Sequence, residues 1–286
     1  MADLRLKDKI AGPGIIVAPG IYDHMSLLLA NEVGFDAIYA SGYWGTASAM
    51  GEPDVGIAGY SDFIGWFAGF ASKSKAPVIA DADTGFGSLA NLAHAVRGYQ
   101  RAGIAAMQIE DQPFPKICGH SGLTRSVASG EMVTRIQVAV EARGAGDMLI
   151  IARTDARSSE GLDAALNRLH DYAAAGADIV FLEAPESSAE IAKAGDLLKK
   201  PLMINAVHGG KTPVLNPEQY AALGVKVIIY PAGAALSAAA AVSSFYRTLA
   251  AGDANSAKKG MFDFPEMSRL LGLDEIAAFQ ERHRAS

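Results

Sequence analysis

The chain has one cysteine, Cys118, in 286 residues. An internal disulfide is therefore excluded, and a reducing compartment is expected. Basic charge is scarce too: 25 Lys and Arg against 31 Asp and Glu leave a net charge of −6. Without a basic stripe, a nucleic-acid partner lacks an electrostatic footprint. The opening Met1-Ala2-Asp3-Leu4-Arg5 contains no apolar signal region. The longest run of small apolar residues, 232–242, includes glycine and serine and is too short to span a bilayer. It is expected to form a helix packed through its alanines. No GxGxxG opens an early helix, which argues against an open doubly wound sheet that binds a dinucleotide. These absences leave a soluble, cytoplasmic chain with no membrane partner.

What is present is a repeated alternation. Short apolar runs fall at 14–18, 37–40, 77–80, 105–109, 148–152, 178–182, 201–204 and 226–229. Most are aliphatic or β-branched without polar alternation, as in parallel strands buried on both faces. Several follow a helix-like stretch closed by glycine, as at Gly34, Gly103, Gly176 and Gly224, the left-handed helix stop. Leu162, Leu166 and Leu169 form a helical stripe, and the stretch 88–101 opens on a capping serine with Leu89, Leu92, Ala93 and Val96 on one face. Eight such units predict a (β/α)₈ TIM barrel, a single domain over 1–286. The last stretch, 258–286, carries Phe262, Phe264, Leu270, Leu271 and Phe279. It is too apolar for a free tail and is expected to pack on the barrel or on another subunit.

The polar residues gather at one end of the runs. Ser41-Gly42-Tyr43, Asp81-Ala82-Asp83, Glu110-Asp111, Arg153-Thr154-Asp155, Glu183, Asn205 and Tyr230 all follow a strand. In a (β/α)₈ barrel the C-terminal strand ends carry the chemistry, so this asymmetry points to an active site. Asp81 and Asp83, two apart, are expected on one side of a strand, with Glu110 on the next. Such an oxygen cluster suits Mg²⁺ or Mn²⁺; alternatively, one aspartate caps the turn before the Ser88 helix. Arg153 can fork onto a substrate carboxylate or pair internally with Glu183 or Asp155. Glu183 is either a contact or a partner of one. Cys118 lies in Lys116-Ile-Cys-Gly-His, where Lys116 and a charged His120 favour a thiolate and Gly119 keeps the backbone open. The segment 113–130 is long enough to be a lid.

Asp81-Ala-Asp-Thr-Gly-Phe-Gly, Glu110-Asp-Gln, Lys116-Ile-Cys-Gly-His and Ala152-Arg-Thr-Asp-Ala-Arg, in this order, resemble the isocitrate lyase/phosphoenolpyruvate mutase superfamily. The likeness runs from about residue 19 to residue 235. It implies Mg²⁺ at Asp81 and Asp83 with Glu110 nearby, and substrate contacts at Ser41, Gly42, Tyr43, Gly119, His120, Arg153, Glu183 and Asn205. It also implies Cys118 as catalytic acid/base, aided by His120 and Arg153, and a homotetramer that swaps its C-terminal helical extension. The Cys-Gly-His loop resembles that of the carbon–carbon lyases. Four positions depart from that pattern: Ile117 for a second lysine, Thr124 (with Arg125 beside it) for a later lysine, His208 for a glutamate, and Leu236 for an arginine of the methylisocitrate lyases. The expected activity is Mg²⁺-dependent cleavage of a 2-hydroxy dicarboxylate of the 2,3-dimethylmalate type. Methylisocitrate cleavage, oxaloacetate hydrolysis or decarboxylation, and carboxyphosphonoenolpyruvate-type phosphonomutase chemistry are the alternatives.

Overall fold

All eight apolar runs are strands in the computed structural model, which describes residues 5–117, 125–258 and 260–284. They are β1 (Ile16–Ile21), β2 (Ile38–Ala40), β3 (Val78–Asp81), β4 (Ala106–Glu110), β5 (Leu149–Thr154), β6 (Ile179–Leu182), β7 (Leu202–Asn205) and β8 (Val225–Tyr230). Every neighbouring pair is parallel, and β8 pairs with β1, so the sheet closes as a (β/α)₈ barrel. Closure leaves no edge strand to protect.

Side-chain alternation divides these strands between two cores. Tyr39, Ile79, Ala106, Ile151, Phe181, Met203 and Ile229 share an inner cluster, which Leu6 of the first helix joins. Their neighbours Ile38, Ala80, Met107, Ile150, Val180, Ile204 and Ile228 pack outward against the helices. Continued along each strand, the inward set reaches Asp81, Glu110, Arg153, Glu183 and Asn205 at the C-terminal ends. The period of two thus aims the polar residues into the barrel mouth.

The helix Leu89–Arg101 is capped by Ser88, whose hydroxyl accepts from Asn91 N. Its buried face is Leu92, Ala95, Val96 and Tyr99 rather than the stripe through Leu89, which is 44% exposed. Tyr99 turns the helix inward because its hydroxyl donates to the Asp81 carbonyl at 2.8 Å.

The chain divides into two compact units, Met1–Ala234 and Ala235–Ser286. The helix Gly233–Ala250 buries only Ala235. The helices Phe264–Leu270 and Leu273–Arg282 bury no residue, and Phe262, Phe264, Leu271 and Phe279 are exposed. No described helix is long and apolar enough to cross a membrane.

Candidate active site

The strand β3 stops at Asp81, so strand alternation does not carry Asp83 to the same side. Asp83 instead takes φ of +48°, a left-handed conformation that bulky residues avoid and short polar ones tolerate. Its N–H donates to Asp81 Oδ1 at 3.1 Å. Asp81 Oδ2 accepts from the Gly42 N–H at 3.3 Å. A Cβ on Gly42 would lie 2.8 Å from the Phe63 ring and 2.9 Å from Asp81 Oδ2, so only glycine lets this backbone approach the carboxylate. Ala184, just past β6, is also left-handed with φ of +53°. Strained backbone thus falls at the barrel mouth, where positioning is usually worth such strain.

Lys116 is the centre of charge on this side. Its ammonium is buried, bonds Asp54 Oδ2 and lies 2.9 Å from Asp83 Oδ1. Burial alone would pull Lys116 down, but Asp83, Glu110, Asp81 and Asp54 together push it well above the usual lysine range. Burial raises the Asp83 carboxyl to about 7 against the pull of Lys116, and Asp81 and Asp54 add to the rise. Glu110 is likewise driven up by burial despite Arg153 and Lys116. The cation expected to favour a thiolate at Cys118 is therefore engaged by carboxylates.

Arg153 organises the opposite wall. Its Nε and Nη2 donate to Asp155 at 3.0 and 2.8 Å, Glu110 Oε2 lies 3.5 Å from Nε, and Glu183 Oε2 lies 3.7 Å away. The guanidinium carbon sits 5.3 Å from the Phe181 ring centroid, a cation–π distance. Arg153 is thus paired internally with Asp155 and near Glu110 and Glu183, and it also lines the cavity. Asp155 is fixed in turn: its N–H donates to Asp111 Oδ1 at 3.0 Å, and Asp111 also accepts from Thr154 and Tyr172.

These walls enclose a cavity of about 200 Å³ lined by Tyr39, Ser41, Tyr43, Trp44, Asp54, Asp81, Lys116, Arg153, Glu183, Asn205, Val207, Pro231 and Ala232. Of the expected site residues, Ser41, Tyr43, Asp81, Arg153, Glu183 and Asn205 line it. Ser41 also accepts from Trp44 N as the cap of the helix Gly42–Met50, and Asn205 Nδ2 donates to Glu183 Oε1 at 3.2 Å. Gly42, Asp83 and Glu110 are buried around it. Cys118, Gly119 and His120 lie outside the described residues. Sequence reasoning missed Asp54 and Tyr39, and it gave Lys116 a different partner. His208 is exposed, its ring centroid 6.4 Å from that of Tyr230, and Leu236, 44% exposed, belongs to the second unit.

The donor set suits a hard divalent cation. Glu110 Oε1 is buried and accepts no hydrogen bond, Asp83 Oδ1 is met by the Lys116 ammonium, and the donors gathered here are oxygens. Among the described residues no three His, Cys, Asp or Glu side chains converge on one point. A cation held here would complete its shell with water and ligand oxygens, the usual habit of Mg²⁺.

Residues 6–250 match the family model described as phosphoenolpyruvate phosphomutase. The chain is 37% identical over 280 residues to 2,3-dimethylmalate lyase of Eubacterium barkeri, covering 98% of this chain and 97% of that one. The chain belongs to the phosphoenolpyruvate mutase/isocitrate lyase superfamily. Within it, the chain is 42% identical to 2-methylisocitrate lyase of Aeropyrum pernix, over 80% of its own length and 73% of the relative's. With relatives that are lyases over most of its length, this superfamily member is an enzyme of the carbon–carbon lyase kind. Among solved structures, oxaloacetate acetylhydrolase bound to 3,3-difluorooxaloacetate superposes with a TM-score of 0.91 at 31% identity, covering 97% of this chain and 95% of that one. Phosphonopyruvate hydrolase with oxalate and Mg²⁺ superposes with a TM-score of 0.87 at 28% identity, covering 97% of each.

Proposed function

We propose that the chain is a Mg²⁺-dependent lyase that cleaves a small 2-hydroxy dicarboxylate of the substituted-malate type. The products are a 2-oxo acid such as pyruvate and a carboxylic acid. The observation that carries this reading is the cavity itself. At about 200 Å³ it falls below the roughly 300–1,000 Å³ of drug-sized pockets. Among its described lining residues only Lys116 and Arg153 are cationic, and past Asn205 the wall is Val207, Pro231 and Ala232. A third carboxylate would meet apolar surface there, an unfavourable burial of charge. The solved relatives with 3,3-difluorooxaloacetate or with oxalate and Mg²⁺ support small diacids as ligands of this fold.

Asp81 and Asp83 are the residues that would hold Mg²⁺, with Glu110 behind them, and its chemistry there is to neutralise the carboxylates and polarise a substrate oxygen. Arg153, steadied by Asp155, holds a substrate carboxylate, while Ser41, Tyr43, Glu183 and Asn205 orient the rest of the molecule. The 2-hydroxyl gives up its proton to a carboxylate of the barrel mouth, the C2–C3 bond breaks, and C2 becomes the carbonyl of the 2-oxo acid. The bonding pair stays on C3 as a carboxylate-stabilised carbanion. Cys118, on the segment after Lys116 and with His120 beside it in sequence, returns a proton to that carbon. The segment 113–130 shields the carbanion from water. We further assign the exposed apolar residues of the second unit to assembly as a homotetramer through a swapped extension.

The deciding experiment is a screen of substituted malates, methylisocitrate and oxaloacetate with release of a 2-oxo acid as readout. Turnover of a substituted malate above the others supports the proposal. Turnover of oxaloacetate alone replaces it with hydrolysis or decarboxylation.

A further inference from the structure

Gln108 is fully buried in the barrel, on the inward side of β4 between Ala106 and Glu110. A primary amide in that place is unfavourable unless both of its ends are bonded. Both are: Tyr39 Oη lies 2.7 Å from Gln108 Oε1, and Gln108 Nε2 lies 3.2 Å from Asp81 Oδ1. Neither Gln108 nor Tyr39 belongs to the set of residues assigned above to metal or substrate.

The direction of this chain follows from chemistry alone. Both Asp81 oxygens already accept, Oδ1 from Asp83 N and Oδ2 from Gly42 N, so it is the amide's NH₂ that faces Asp81. The amide oxygen then faces Tyr39, and the tyrosine hydroxyl must donate to it. Burial, with Asp81 next, holds that hydroxyl well above the usual phenol range, so the proton is retained. Tyr39 lines the cavity, and with its proton committed its oxygen can only accept from a group placed against it. At the other end, Asp81 Oδ1 takes Gln108 Nε2 and Asp83 N while Oδ2 takes Gly42 N. The carboxylate plane is thereby fixed.

We propose that Gln108 is a positioning residue that orients the Asp81 carboxylate for a divalent cation and makes Tyr39 an obligate acceptor, so that the cavity selects a hydroxyl over an oxo group. The proposal rests on the metal and substrate class proposed above. It adds the residues that read the oxidation level of the ligand's oxygen: a hydroxyl donates to Tyr39, whereas an oxo group would set two acceptors face to face.

The test uses full-length metal-free protein. Mg²⁺ is titrated calorimetrically into wild type, Gln108→Met, Gln108→His and Tyr39→Phe. L-malate and oxaloacetate are then titrated while following the fluorescence of Trp44, which lines the cavity. Gln108→Met keeps the volume but removes both bonds. It should lose at least about tenfold in Mg²⁺ affinity, the usual effect of removing a group that orients a metal ligand, and its malate-to-oxaloacetate preference should fall toward unity. Gln108→His supplies one donor and one acceptor and should restore both. Tyr39→Phe should keep the Mg²⁺ affinity and lose the preference. A folded Gln108→Met with wild-type affinity and preference overturns the proposal. Should that variant not fold, Tyr39→Phe decides, and retained preference in it overturns the proposal. Absence of Mg²⁺ uptake by wild type removes the metal from the proposed function, and the malate-to-oxaloacetate ratio alone then decides for Gln108.

Discussion

Lys116 Nζ lies 2.9 Å from Asp83 Oδ1, and both side chains are buried at the mouth of the barrel. Lys116 also bonds Asp54, on the loop after the helix Gly42–Met50. One ammonium therefore ties the loop at 51–59 to the end of β3 and to the segment that leads into Cys118. Gly56 completes the contact: a Cβ on it would lie 2.9 Å from Pro115 Cβ.

Removing one partner of a buried ion pair leaves the others unpaired in a low-dielectric site. Lys116→Met should lower stability by about 3 kcal/mol, read by urea unfolding of metal-free protein. Added Mg²⁺ should recover part of the loss by supplying a replacement cation. An unchanged midpoint would show that the pair adds nothing to folding.

Asp81→Asn keeps the shape of the side chain but removes its charge. It should weaken Mg²⁺ binding and abolish turnover while leaving the far-ultraviolet circular dichroism unchanged. Wild-type turnover of this variant in EDTA would end the assignment of a metal to Asp81.

Cys118→Ser replaces a thiol, whose ordinary pKa is near 8.5, by a far weaker acid. Turnover should fall by roughly 10²–10⁴-fold, the usual worth of a positioned acid or base, with ligand binding largely kept. A wild-type kcat would remove Cys118 from the proton transfer.

The apolar wall past Asn205 gives a prediction on substrate size. 2,3-Dimethylmalate should be cleaved with higher kcat/KM than methylisocitrate. His208→Glu should be assayed alongside, because an imidazolium could supply the charge that Leu236 lacks. A wild-type preference for methylisocitrate that this variant loses would assign His208 to a third carboxylate.

The second unit exposes Phe264 by 81% and Phe279 by 58%. If these residues drive assembly, the double variant Phe264→Asp, Phe279→Asp should halve or quarter the mass measured by light scattering. An unchanged mass would remove these side chains from the interface.

The strands were legible because a strand buried on both faces is mostly apolar along its length, and the eight runs follow that pattern with single polar exceptions such as Gln108. The polar ends were legible for a related reason: inward alternation carries Asp81, Glu110, Arg153, Glu183 and Asn205 to the mouth once the fold class is known. Asp83 was found for the wrong local reason, since the strand ends before it and a left-handed residue brings it back. The burial of the helix Leu89–Arg101 was misjudged at Leu89 because Tyr99 bonds the Asp81 carbonyl and turns the helix.

What the sequence determined by itself was which segments are strands and which polar residues follow them, because those depend on short-range periodicity. What only the tertiary structure decided was the pairing of charges. Lys116 meets Asp54 across 62 residues, and Tyr39 meets Gln108 across 69. No local pattern encodes such partners. Barrel closure and strand register bring them together, and burial then compels each charge and each amide end to find the partner that satisfies it.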